Sequence, residues 1–128
     1  LFSNISCYHT GSIDAGLVVI EGKLIKGVSI EEGEKAIEAE LNKLRSEILP
    51  DDELQKVKNR VESLLAFEDV SLMNRASSLA TYELLGDVNL INTEWEKYNA
   101  VTANQMLQVA NEIFREDNSS TLYYRSRN

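Results

Sequence analysis

At 128 residues the chain has the length of one domain with a real core, and its 43% apolar and 27% charged content is that of a soluble globular protein, not a disordered one. A formal charge of −8 disfavours a nucleic-acid backbone or an anionic membrane surface as partner, because both are bound through basic surfaces. The single cysteine, Cys7, excludes an internal disulfide and any multi-cysteine zinc site, and no apolar run reaches the roughly 20 residues of a membrane span.

Ile5-Ser6-Cys7-Tyr8 reads as a strand with Cys7 as a small buried residue, and His9-Thr10-Gly11-Ser12 as a turn. Ala15 to Ile25 is the strongest strand. Its β-branched run Leu17-Val18-Val19-Ile20 predicts a strand covered on both faces, or covered on one and paired centrally. Ser29 with Glu32 forms a capping-box signature. Behind it Ile37, Leu41, Leu44 and Ile48 make one helical stripe, with Glu31, Glu32 and Glu34 crowding the first turns where the dipole favours negative charge. Pro50 ends that helix, and Asp51 or Asp52 caps the next, striped by Leu54, Val57, Val61, Leu64 and Leu65.

Asp69-Val70-Ser71 kinks this helix or starts a new one. The following stripe, Leu72, Met73, Ala76, Leu79, Ala80 and Leu84, stops at Gly86. Asn92 or Thr93 caps a short helix carrying Trp95 and Tyr98. Thr102 with Gln105 repeats the capping box ahead of Met106, Val109, Ala110 and Ile113, and Ser119 to Arg125 reads as a last strand. The expected class is α+β: a helical layer packed on a mostly antiparallel sheet, as one domain over residues 1–128. Two or three strands make a poor sheet alone. A chain that opens mid-pattern at Leu1, with no initiator methionine or charged leader, reads as a truncated unit or a processed product.

Candidate chemistry is sparse. His9 is the only imidazole; as a general base it needs an orienting carboxylate, and Asp14 is the nearest in sequence. An exposed turn histidine is the simpler reading. Glu34 and Glu38, like Lys43 and Glu47, stand four apart on the side away from the apolar stripe, as on a solvated helix face. Asp51-Asp52-Glu53 lacks the glycine and alternating oxygen ligands of a calcium loop. Gly11 to Gly16 leads into a strand, where a phosphate cradle needs a helix N-terminus. Trp95, Tyr98, Tyr123 and Tyr124 have no interleaved basic residues, so packing explains them better than base stacking. No Gly-x-Ser-x-Gly elbow occurs. From its residues alone the chain is an α+β domain without a self-contained active site.

Several segments nonetheless form a pattern. Tyr82-Glu83-Leu84-Leu85-Gly86-Asp87, Tyr98-Asn99-Ala100-Val101-Thr102-Ala103 and Thr121-Leu122-Tyr123-Tyr124 follow one another at spacings similar to the end of a domain in the insulinase/pitrilysin zinc metallopeptidases, the family of mitochondrial processing peptidase. Upstream, Ser12 to Lys23, with Ile13-Asp14-Ala15-Gly16-Leu17, resembles a family strand, Gly27-Val28-Ser29 to Leu44 the following long helix, and Asp52-Glu53-Leu54-Gln55-Lys56-Val57-Lys58 the opening of the next.

The resemblance covers nearly the whole chain and implies the later part of a second, non-zinc domain, a partial LuxS/MPP-like metallohydrolase fold. The family's His-x-x-Glu-His motif needs two histidines, so zinc belongs to the other domain of the parent protein and no cofactor to this chain. Implied partners are that N-terminal zinc-bearing domain, or a partner subunit, and a peptide substrate. In many second domains an arginine and a tyrosine seven apart touch the substrate; the resemblance places Ser3 at the tyrosine and the arginine before Leu1, and serine supplies no phenol. The family binds extended peptides along a sheet edge, for which Leu17 to Ile25 is the candidate, and such an edge also permits homo-oligomers. The alternative is an inactive structural subunit of the same fold. The compartment is open, bacterial cytoplasm and periplasm both suiting this composition.

Overall fold

The computed structural model describes residues 1–11, 14–68 and 70–125. Among them lie two strands and five α-helices, in the order β1 (Phe2–His9), β2 (Val18–Leu24), α1 (Ile30–Ser46), α2 (Asp51–Glu68), α3 (Leu72–Leu84), α4 (Leu90–Ala100) and α5 (Ala103–Ile113), then a 3-10 turn, Glu116–Asn118. The class is α+β with an antiparallel sheet. Contacts divide the chain into two compact units, one made of Leu1–Ser46 with the stretch from Ala110 onward, the other of Glu47–Val109.

In the first unit β1 and β2 form a hairpin against which α1 packs. The capping box at the start of α1 is complete: Ser29 Oγ accepts from the Glu32 N–H at 3.1 Å, and the Glu32 carboxylate accepts from the Ser29 N–H at 2.9 Å. Helix α1 ends at Ser46, four residues short of Pro50. Side chains add hydrogen bonds to carbonyls near its end. Ser46 Oγ donates to the Asn42 carbonyl at 2.7 Å, and the Asn111 amide donates to the Arg45 carbonyl at 2.8 Å. The half-buried Arg45 guanidinium in turn donates to the Phe114 carbonyl, Glu38 and Asn42, fastening the end of α1 to the end of α5.

In the second unit α2 and α3 both pack on α4. The Leu54 N–H donates to the Pro50 carbonyl at 3.0 Å, so Pro50 occupies the cap. Asp51 and Asp52 lie just inside the helix, where their charge meets the N-terminal dipole. Ser71 starts a separate helix, its Oγ accepting from the Asn74 N–H. Helix α3 closes on a Schellman motif: Gly86 N–H donates to Glu83, Asp87 N–H to Tyr82, and Gly86 has φ 97°, a value that favours glycine. Helix α4 begins at Leu90, so Asn92 and Thr93 lie inside it; Asn89, held by Asp87 Oδ1 at 2.9 Å, precedes it. The second capping box is also made, with Thr102 N–H to Gln105 Oε1 at 2.8 Å and Gln105 N–H to Thr102 Oγ1 at 3.3 Å.

Burial departs most from the sequence pattern. Leu54 and Ala110 are the buried apolar side chains among the described residues. On α2, Val61 and Leu65 are half-buried while Val57 and Leu64 are exposed. The predicted α3 stripe faces solvent, with Leu72 83%, Met73 75% and Leu84 70% exposed; Ser78 and Tyr82 are the half-buried positions instead. Nor are residues 119–125 a strand. No third strand offers a ladder there among the described residues. Tyr123 Oη donates to Glu34, and Arg125 lies 3.9 Å from Glu31, so the segment is tied to α1 by side chains.

Breaking the first capping box tests how far local signals support the fold. Ser29→Ala is expected to cost about 1 kcal/mol in urea unfolding. The hydrogen bond from the Ser29 backbone, then that from its side chain, holds the Glu32 carboxyl below its ordinary value of 4.5. A carboxyl with a depressed folded pKa stabilises above the unfolded value and loses that contribution as pH falls through the folded one. The gap between wild type and Glu32→Ala therefore stays constant above pH 4.5 and narrows below it; a gap that widens on acidification would contradict the capping role.

Candidate functional site

The candidate site is the hairpin, whose shape follows from three glycines and one bulge. Strand register pairs Phe2 with Leu24 and Asn4 with Lys23, leaving Ser3 as an extra residue that bends β1. Ser3 Oγ donates to the Lys23 carbonyl across the bulge at 3.0 Å. The Phe2 ring lies over Gly22, where a Cβ would come within 2.7 Å of it. Gly33 lets α1 approach the same end of the hairpin, since a Cβ there would stand 2.6 Å from Leu24 Cδ2 and 3.4 Å from Phe2. At the other end Thr10 N–H donates to the Leu17 carbonyl at 2.9 Å, and Leu17 N–H to Thr10 Oγ1 at 2.8 Å. Gly16 passes so near Thr10 that a Cβ would lie 2.1 Å from its carbonyl oxygen.

This closure delays β2 to Val18, three residues later than the predicted start at Ala15, and draws His9 out of the turn into β1, opposite Val18. The predicted turn residue Ser12, with Ile13 of the Ile13-to-Leu17 pattern, lies outside the described residues. The β-branched run is not covered on both sides. Leu17 is 69% exposed, Val18 is exposed, and Val19 and Ile20 are half-buried, because a two-stranded ribbon has one neighbour per strand and α1 reaches only its Phe2–Leu24 end.

The reactive side chains do not converge. Cys7 is exposed on β1 opposite the half-buried Ile20, not buried as expected, on a ribbon that has no third strand among the described residues. His9 is exposed and no hydrogen bond orients its imidazole among the described residues, so the general-base arrangement is not assembled. Among the described residues no three of His, Cys, Asp and Glu come together in a way that could hold a metal ion. A zinc ion takes three or four such ligands, so these residues do not fit one. Glu34 and Glu38 are exposed, as on the solvated helix face expected, and there they meet Tyr123 and Arg45. The Tyr123 tether was not readable from sequence: the two residues stand 89 apart and no periodicity links them. Donation to Glu34, more than any other effect, raises the Tyr123 phenol above its ordinary value of 10.0. Trp95 is half-buried, in keeping with a packing role, while Tyr123 and Tyr124 are exposed.

What the hairpin presents is an edge. The outer side of each strand has no partner strand among the described residues, so its alternate N–H and carbonyl groups are open to an added strand. No known protein-family model matches the chain, and no curated protein matches it. Among the described residues no helix is long and apolar enough to cross a membrane.

The placement of Cys7 is checked by alkylation of the isolated chain at low concentration. Iodoacetamide is expected to label Cys7 at the same rate with and without denaturant. Protection that only denaturant removes would show that the hairpin face is covered after all.

Proposed function

We propose that the chain is the C-terminal, non-zinc-binding segment of an insulinase/pitrilysin-type zinc metallopeptidase, a partial LuxS/MPP-like metallohydrolase domain that helps form the peptide-binding chamber and the domain interface. The observation that carries this reading is the open-edged hairpin, stiffened at one end by α1 and uncovered elsewhere. An edge of this kind takes an extended peptide by main-chain pairing, which is indifferent to side-chain sequence and so suits a peptidase chamber. The resemblance in the Tyr82–Asp87 and Tyr98–Ala103 segments supplies the family. The zinc-bearing domain of the same protein, or a partner subunit, would contribute metal and catalysis. The exposed apolar residues of α2 and α3 would meet that partner.

A second reading, an inactive structural subunit of the same fold, is favoured by one observation at Ser3. The position that resemblance assigns to a substrate-touching tyrosine holds a short hydroxyl already donated to Lys23. An intact His-x-x-Glu-His in the parent polypeptide or in a partner subunit separates the two readings; its absence from both leaves the structural role.

Hydrogen exchange tests the edge directly. With unstructured model peptides that carry no arginine or lysine, amides between residues 12 and 25 are expected to gain protection while those of α2 and α3 do not. No protected amide in that range would remove the peptide-binding role.

A further inference from the structure

A groove in the second unit, lined by α2, α3 and α4, carries an inference that stands independently of the peptidase reading. We propose that it is a docking site for an arginine- or lysine-bearing segment of a partner protein. Its apolar lining includes Tyr82, Ile91 and Trp95, and its acidic lining is Glu62, Glu68 and Glu94. The cavity is about 230 Å³, below the roughly 300–1,000 Å³ of sites that enclose a whole small molecule. That is room for a side chain or two, delivered by something larger.

The lining defines the chemistry of the occupant. None of the three carboxylates has a hydrogen-bond or ion-pair partner among the described residues. They do not converge as a metal site either. Between residues 47 and 109 eleven acidic residues face five basic ones, so the unit as a whole attracts cations. An anionic occupant would be repelled by the three carboxylates, and a wholly apolar one would leave them without a partner. A basic side chain answers each part of the lining. Its methylene stem covers Ile91, its charged head lies against Trp95 or Tyr82 as a cation on an aromatic face, and its N–H groups reach the glutamates.

Trp95 is the only tryptophan, so its fluorescence reports from inside the groove. The probes are two peptides of equal length and apolar content, one carrying arginines and the other citrullines in the same places, with spermidine as a third ligand. The arginine peptide is expected to shift Trp95 emission saturably, and the citrulline peptide and spermidine to do so far more weakly. Glu94→Gln is expected to weaken binding about two- to fivefold, the worth of a solvent-reachable ion pair, and Glu62→Gln with Glu94→Gln to weaken it further. Unchanged circular dichroism shows that the variants fold. Glu83→Gln, on α3 outside the groove, is expected to bind as wild type. Equal weakening by Glu83→Gln would reduce the effect to general attraction and overturn the site. Equal binding of the citrulline peptide would overturn the charge argument, equal binding of spermidine the protein partner, and no saturable shift the proposal as a whole.

Discussion

The chain carries more apolar surface than its own elements cover, and most of its construction answers to that shortage. Full burial of a leucine or valine side chain is worth about 1.5–3 kcal/mol, yet among the described residues Leu54 and Ala110 are the apolar ones that are buried. An isolated two-stranded hairpin is marginal in water. Here α1 holds one end of it, and only because Gly33 and Gly22 leave room for Leu24 and Phe2. With so little core, the fold leans on local devices: two complete capping boxes, a Ser71 cap, the Schellman stop at Gly86 and the Arg45 clamp on Phe114. Each contributes about a kilocalorie or less to a few, and together they set where helices begin and end.

That division explains what could be read from sequence. The caps at Ser29 and Thr102 and the stop at Gly86 were legible because their partners lie three to five residues away. The α+β class was legible for the same reason, from helical stripes following a β-branched run. Boundaries that depend on distant groups were not. The Asn111 amide takes the Arg45 carbonyl where α1 ends short of Pro50, and the Thr10–Leu17 closure delays β2. Residues 119–125 alternate as a strand would, but among the described residues they find no strand to pair with, and Tyr123 engages Glu34 instead. The stripe from Leu72 to Leu84 marked an amphipathic helix correctly, but periodicity says nothing about whether the apolar side has a cover.

The candidate site was legible in the same partial way. The apolar run pointed to β2 as a strand fit for pairing, and the hairpin leaves its edge open. The Ser3 bulge depends on a register across twenty residues and left no local signal. Trp95 was read as a packing residue, which its half-burial matches. Its position beside Glu62 depends on α2 and α4 meeting, and so emerges only in three dimensions.

We propose that the uncovered apolar residues of this chain are contact surfaces for another polypeptide. They crowd around the α2–α3 connection, where Phe67 is 77% and Val70 80% exposed beside Leu72 and Met73, a concentration that ordinary monomer surfaces avoid. Hydroxyl-radical footprinting at Met73 tests this most directly, comparing the isolated chain with the protein captured in native form from its own cells. Strong protection of Met73 in the native form is predicted. Equal oxidation in both would mean that the surface stays bare, and would contradict the account.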